Sequence, residues 1–315
     1  MGRGIKVVAL AGGVGGAKLA DGLAQVLPPE QITIIVNTAD DFTHLGLKIS
    51  PDLDTVCYTL AGLANPETGW GRRDETWNVF QALQRLGMAD WFHLGDSDLA
   101  THISRTTWLG EGRKLSEVTD ELCRIWGVRV RVLPMSDDSI QTWVYTNEGD
   151  LVFQEYFVHR QCQPMVKGFR FEGSESAKPA PGVLEAIDTC DAVVICPSNP
   201  WVSIDPILSI VGIKQAIVNH LVVAISPIIG DKTIKGPAAK MFSELGIQPS
   251  ALAVAQHYLG LINTIFIDQS DIGMKEEVES LGVRTFLTNI LMYDPLERGR
   301  LAREVLEYIL SLRGA

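Results

Sequence analysis

Residues Ile5 to Ala11 form a near-continuous apolar run, broken only by Lys6. Such a run suits a strand covered on both faces of a parallel sheet. The stretch Gly12-Gly13-Val14-Gly15-Gly16 follows as a turn. Leu19, Leu23, Val26 and Leu27 then recur at helical spacing over 17–27, until Pro28-Pro29 stops the helix. Ile32 to Val36 predicts a second, β-branched strand ending at Asn37-Thr38-Ala39-Asp40-Asp41. The first seventy residues therefore read as β-α-β.

Helical patterns dominate from Ser50 to Trp126, most clearly over 76–86 and 115–126. Val128 to Leu133 then alternates with period two, as do the stretches around 143–146 and 151–155. Asn147-Glu148-Gly149-Asp150 is placed as a hairpin turn between the last two. This middle part, about 50–180, is expected to be an insertion beside the main sheet, fused to a single 1–315 domain. Apolar strands return at 192–196, 221–225, 264–268 and 284–287, alternating with helices over 236–245 and 295–312. The expected fold class is α/β: a doubly wound, mainly parallel Rossmann-like sheet with a helical and β-hairpin insertion.

Composition narrows the partners. A chain of 315 residues with 46% hydrophobic and 21% charged residues is not dominated by disorder. No apolar run reaches the ~18 residues of a membrane span, so no membrane association is expected. Against 38 Asp+Glu stand 27 Lys+Arg, a formal net charge of −11, which argues against nucleic acid as a partner. Cys57, Cys123, Cys162, Cys190 and Cys196 are odd in number and contain no C-x-x-C pair. Neither a disulfide framework nor a zinc site is supported. With no signal-peptide pattern at the start, a cytoplasmic location is expected.

In an open parallel sheet, ligands bind beyond the carboxyl ends of the strands. The polar motifs fall there: Gly12–Gly16, Asn37–Asp41, Pro197-Ser198-Asn199-Pro200 and Ser226-Pro227-Ile228-Ile229-Gly230. The glycine loop either brings backbone N–H donors and a helix dipole to a phosphate or is a tight turn without a ligand. It lacks the Lys-Ser/Thr of a Walker A loop and the spacing of a dinucleotide fingerprint. Lys18 either meets a phosphate or is an exposed helix lysine. Asp40, Asp41, Asp52 and Asp54 either gather round Mg²⁺ or serve as a cap and solvated acids. On a helix, Asp52 and Asp54 would point about 200° apart. They would meet one ligand only in an extended or turn segment.

His93 and His102 lie nine residues apart, a spacing that matches no helical metal pair, so each is either a site residue or structural. Asp137-Asp138 is an acidic loop or a turn. Gly236-Pro237-Ala238 is expected to open a helix with Pro237 at its first position, or to present N–H groups to an anion. Nothing recommends a Ser or Cys nucleophile. That favours direct transfer aided by phosphate positioning and a metal.

Taken in order, these motifs resemble the 2-phospho-L-lactate transferase family of coenzyme F420 biosynthesis. The matching stretches are Ala11–Leu19, Val36–Asp41, Ser50–Val56, Leu94–His102, Leu133–Asp138, 197–200, 226–230 and 236–238, within residues 5 to about 295. The resemblance implies a Mg²⁺-dependent enzyme. A phospho-acid of the 2-phospho-L-lactate or phosphoenolpyruvate type passes from a guanosine diphosphate conjugate to the terminal ribityl hydroxyl of the deazaflavin Fo. GMP leaves, and the product is F420-0 or its dehydro form. The implied Fo contacts are Asp54 and His93, where relatives often carry Lys, Arg or Asn at the latter position.

On this reading Asp54 also holds the hydroxyl or accepts its proton. Gly12, Gly13, Gly15, Lys18, Ser198, Asn199, Ser226, Gly230 and Gly236 are expected to hold nucleotide and phosphate. Asp40, Asp41 and Asp54 are expected to hold the metal, and a homodimer is the expected assembly. The alternative is a non-enzymatic nucleotide-sugar-binding regulator of the gluconeogenesis-factor type. A nicotinamide-dependent oxidoreductase is suggested only by a glycine turn in an α/β sheet. The donor acid is not readable from these motifs.

Overall fold

A computed structural model describes residues 4–313. Seven parallel strands make the central sheet. They are β1 (Val7–Ala11), β2 (Ile32–Val36), β3 (Arg131–Pro134), β4 (Ala192–Ile195), β5 (Leu221–Ile225), β6 (Thr264–Asp268) and β7 (Arg284–Thr288). Their order is β7-β6-β5-β4-β1-β2-β3, so the chain moves outward from β1 on one side and resumes beside β1 with β4. That reversal is a topological switch point, where such sheets place their ligands. One apolar cluster covers each face of the sheet. This is why β1, β4 and β5 read as unbroken apolar runs.

The sheet corrects one sequence expectation. The alternating stretch 128–133 supplies β3, an edge strand of the main sheet paired in parallel with β2. An edge strand of a parallel sheet can alternate because fewer of its positions are sealed; here Arg129 and Arg131 are exposed and Val130 and Val132 buried, before the strand continues buried through Pro134. The hairpin is found where expected, as Gln141–Thr146 against Gly149–Val152. A third antiparallel strand, Val166–Glu172, joins it.

Helices α1 (Gly13–Val26), α2 (Pro51–Leu60), α3 (Asn78–Arg85), α4 (Asp96–Gly110) and α5 (Leu115–Ile125) follow in the first half. α1 begins four residues earlier than expected, because the glycines form its first turn. A Cβ on Gly15 would lie 2.2 Å from the Pro197 carbonyl, and one on Gly16 2.6 Å from Ser198 Oγ. Only glycine lets this turn seat against the end of β4. Farther along α1, a Cβ on Gly22 would lie 2.2 Å from the Arg298 carbonyl in the C-terminal helix Pro295–Arg313. Gly22→Ala is therefore expected to force these helices apart, at about 1–3 kcal/mol. A lowered denaturation midpoint with an unchanged unfolding slope would report it.

Candidate functional site

A cavity of about 820 Å³ opens at the carboxyl ends of β1, β2, β4 and β5. Its size suits a large cofactor-like ligand. Gly12, Gly13, Gly15, Lys18, Asp40, Asp54, His93, Ser198, Asn199, Ser226 and Gly236 all line it. Two expected residues do not. Gly230 donates its N–H to Asp271, at 2.9 Å from Oδ1, outside the cavity wall. Asp41 accepts the Ser50 hydroxyl at 2.7 Å and lines a neighbouring cavity instead.

The glycine turn is less open to a phosphate than its sequence suggests. Gly13 N–H donates to Asp52 Oδ1 at 2.7 Å, and Gly12 N–H donates to Ser198 Oγ at 3.1 Å. Ser198 returns its own proton to the Gly12 carbonyl. Asn199 caps the wide turn Pro200–Ile204 by accepting from Trp201 N–H, and Ser226 closes a turn onto Ile228. These polar atoms shape the wall. Pro237 stands at the cap position before the helix Ala238–Glu244, which therefore begins one residue later than expected.

Asp52 and Asp54 sit on α2, whose first residue is Pro51, and so point apart. Asp52 turns to the glycines and to Asn37, whose amide donates to Asp52 Oδ2 at 3.0 Å and to Asp40 Oδ1 at 3.3 Å. Gln154 holds the other Asp40 oxygen at 3.1 Å. Burial, with the Asp52 and Asp41 charges close by, holds the Asp40 carboxyl well above its ordinary value. Burial also pushes Asp52 up to about 6, against the hydrogen bonds from Asn37 and Gly13. Two desolvated carboxylates sharing one amide favour a proton or a cation between them. Among the described residues, no three His, Cys, Asp or Glu side chains are grouped as a metal ligand set. Of the expected trio, Asp41 turns to Ser50 and Asp54 to Arg105, and the carboxylate that shares a donor with Asp40 is Asp52.

Asp54 turns the other way, into a buried pair with Arg105 of α4. Arg105 Nη1 donates to Asp54 Oδ2 at 3.0 Å, and Nη2 donates to Oδ1. Burial opposes the guanidinium charge, but the Asp54 carboxylate outweighs it and raises the Arg105 pKa. Arg105 Nη1 also lies 3.1 Å from His102 Nδ1. Arginine only donates, so Nδ1 accepts and the ring proton sits on Nε2, 3.3 Å from Asp98 Oδ1. Tyr58 donates to the same Asp98 oxygen at 2.7 Å. Burial opposes the Asp98 charge, but the adjacent His102 ring and the Tyr58 hydrogen bond prevail and lower its pKa.

α2 and α4 are thus joined by one polar network on the cavity wall. It leaves Asp54 a weak candidate for proton abstraction, since both of its oxygens already accept from Arg105. Asp137 accepts from Ser116 N–H and hydroxyl, and Asp138 accepts from Lys178 N–H, so that acidic pair is structural.

The remaining wall is aromatic. Trp70, Trp91, Phe92, Phe153 and Phe157 line the cavity. Phe153 and Phe157 stack at 5.3 Å, and His159 stacks on Trp91 at the same distance. His93 sits at the rim, 4.8 Å from the Phe80 ring and 6.3 Å from Trp77. Sequence reasoning missed Arg105, Asn37, Gln154 and also Lys235, which lines the cavity. Asn37 lay inside a motif it had singled out and is wholly buried, a signal available only once the neighbouring acids are seen to need a donor.

Residues 7–285 match the family described as 2-phospho-L-lactate transferase CofD, and the chain belongs to it. A phosphoenolpyruvate transferase of Streptomyces griseus is 46% identical, over 98% of this chain and 100% of its own length. A 2-phospho-L-lactate transferase of Methanosarcina mazei is 36% identical, over 96% and 99%. A Bacillus halodurans protein of the UPF0052 family shares the fold, with TM-score 0.65 and 19% identity over 97% of this chain and 100% of its own. Among the described residues no helix is long and apolar enough to cross a membrane.

Proposed function

We propose that the protein is a phospho-acid transferase of coenzyme F420 biosynthesis. On this reading its donor is a guanosine diphosphate conjugate carrying an enolpyruvyl group, and its acceptor is the deazaflavin Fo. The observation that carries the reading is the switch-point cavity, which joins a glycine turn, a buried acid pair and an aromatic wall in a chain of this family. The enolpyruvyl choice rests on the relatives named phosphoenolpyruvate transferase, which are 42–46% identical, against 36–38% for those named 2-phospho-L-lactate transferase.

In this reading the Fo ring lies against the aromatic wall near His93, with its ribityl chain reaching Asp54. Each Asp54 oxygen keeps a lone pair beyond its bond to Arg105, enough to hold the acceptor hydroxyl. Arg105 fixes the orientation of that carboxylate. The hydroxyl oxygen attacks the phosphorus bearing the acid, the bond to the GMP oxygen breaks, and the hydroxyl proton is released. Close placement of the two reactants supplies much of the rate. Asp40 and Asp52 fit a divalent cation, since Mg²⁺ is commonly held by one or two carboxylates together with substrate phosphates. Bound there, Mg²⁺ would neutralise diphosphate charge.

Incubation with Fo, the enolpyruvyl donor and Mg²⁺ is expected to release GMP and yield a deazaflavin with the mass of dehydro-F420-0. EDTA should stop the reaction and Mg²⁺ restore it. A product formed only from the lactyl donor would overturn the enolpyruvyl assignment. Absence of GMP with every donor would overturn the transferase reading, and undiminished turnover in metal-free buffer would remove Mg²⁺ from it.

A further inference from the structure

Among the described residues, two ammonium groups face the cavity without a carboxylate partner, in a chain of net charge −11. Lys18 is half-buried on α1, and burial, then the Arg298 and Lys235 charges, lower its pKa. Arg298 is compensated by Asp21 at 3.0 Å. Among the described residues neither Lys18 nor Lys235 has such a pair. Lys235 comes from the segment after the small hairpin Ile228–Ile229 and Lys232–Thr233. It reaches the opposite rim, donating to the Thr68 carbonyl and lying 3.5 Å from the Glu67 carbonyl.

The segment it grips is a built loop. Gly69 N–H donates to the Asn65 carbonyl at 2.9 Å, and Asn65 N–H donates to the Gly71 carbonyl at 3.1 Å. Gly69 has φ +77°, and a Cβ there would lie 2.6 Å from Val14 and 3.3 Å from Lys235 Nζ. The loop therefore rests on the first turn of α1, with the Lys235 ammonium beside it. A lysine has three donors, and carbonyl oxygens leave its charge uncompensated. A phosphate oxygen would complete it.

We propose that Lys235 is a clasp for a diphosphate. It binds the ligand's phosphate oxygens while keeping the Thr68 carbonyl, so that ligand binding fastens loop 65–71 over the cavity. Lys18 meets the same diphosphate from below. The identity of the diphosphate as part of a guanylated donor rests on the proposed function; the clasp itself requires only two linked phosphates.

Calorimetry with GDP, UDP and inorganic pyrophosphate, on wild type, Lys235→Gln and Lys235→Arg, tests it, with amide hydrogen exchange followed across 65–71. Lys235→Gln is expected to weaken GDP and pyrophosphate roughly 10–100-fold, as loss of a charge-assisted bond does. Wild type should gain protection at 65–71 on ligand addition, Lys235→Gln should not, and Lys235→Arg should recover part of both effects. An unaltered melting temperature would show that the exposed substitution leaves the fold intact. Equal affinities in wild type and Lys235→Gln would overturn the clasp and leave the proposed function standing. Pyrophosphate binding that needs Lys235, with GDP no tighter than UDP, would uphold the clasp and remove the guanylated donor. No binding of any of the three by wild type would overturn both.

Discussion

Arg105→Met is expected to lower folding stability by about 3–5 kcal/mol, the cost of leaving one member of a buried ion pair without its partner. Asp54 and Arg105 are 6% and 2% exposed, so water cannot take over the lost bonds. The orphaned groups also include His102 Nδ1 and the Lys48 carbonyl, which Arg105 approaches at 3.4 Å. Asp54→Asn should cost a similar amount by stranding the guanidinium. The double variant Asp54→Leu with Arg105→Met should recover much of the loss, because two apolar side chains need no partner. On the proposed function it should remain without transfer activity, since the carboxylate proposed to hold the acceptor hydroxyl is gone.

Arg105→Lys is the finer probe. It keeps the charge but loses the two-pronged grip, so with Fo as the proposed acceptor kinetics should show a raised KM or a lowered kcat in a folded protein. Denaturant midpoints and steady-state rates on the four variants separate stability from chemistry. A double variant no more stable than the singles would contradict the account of this pair.

Much of this site was readable before the fold was known, for a physical reason. A doubly wound sheet gathers its strand ends on one edge, so motifs after β1, β2, β4 and β5 had to converge. That logic located Gly12, Asp40, Ser198 and Asn199 correctly on the cavity wall. It did not say which atoms were already used. Gly12 and Gly13 looked like free donors, but the close approach that demands glycine at Gly15 and Gly16 also brings Ser198 within reach. The angle between Asp52 and Asp54 was calculable, and Pro51 as the first residue of α2 settles that it applies. Arg105 was illegible because its partner lies 51 positions away and meets it only when α4 packs against α2. The edge position of β3 was hidden for a related reason: alternation reports how a strand is covered, and an edge strand and a hairpin can be covered alike.

The buried acids make stability depend on pH in a direction opposite to the usual carboxylate. Asp52 titrates at about 6 in the folded chain against 3.8 as an ordinary side chain, and Asp40 and Asp41 are displaced in the same sense. Between those values the folded state holds more protons than the unfolded one, so stability falls as pH rises. Burial lowers the pKa of His44, which acts with the opposite sign below its ordinary 6.5. Asp98 has a depressed pKa and loses its contribution only under more acid conditions, below 3.8. The difference between wild type and Asp52→Asn therefore isolates the acid pair.

In metal-free buffer that difference is expected to shift in favour of Asp52→Asn by a few kcal/mol between pH 4 and pH 8, at about 1.4 kcal/mol per unit of displaced pKa. With the proposed cation site at Asp40 and Asp52, Mg²⁺ added with GDP should reverse it, stabilising wild type more at pH 8 than at pH 5.5, because a cation competes with the protons that these carboxyls retain at low pH. Melting temperatures across this range, with and without Mg²⁺ and GDP, measure both effects. A wild-type advantage that grows from pH 4 to pH 8 without metal would show that Asp52 is ionised at little cost, and the acid pair would lose its claim to the cation.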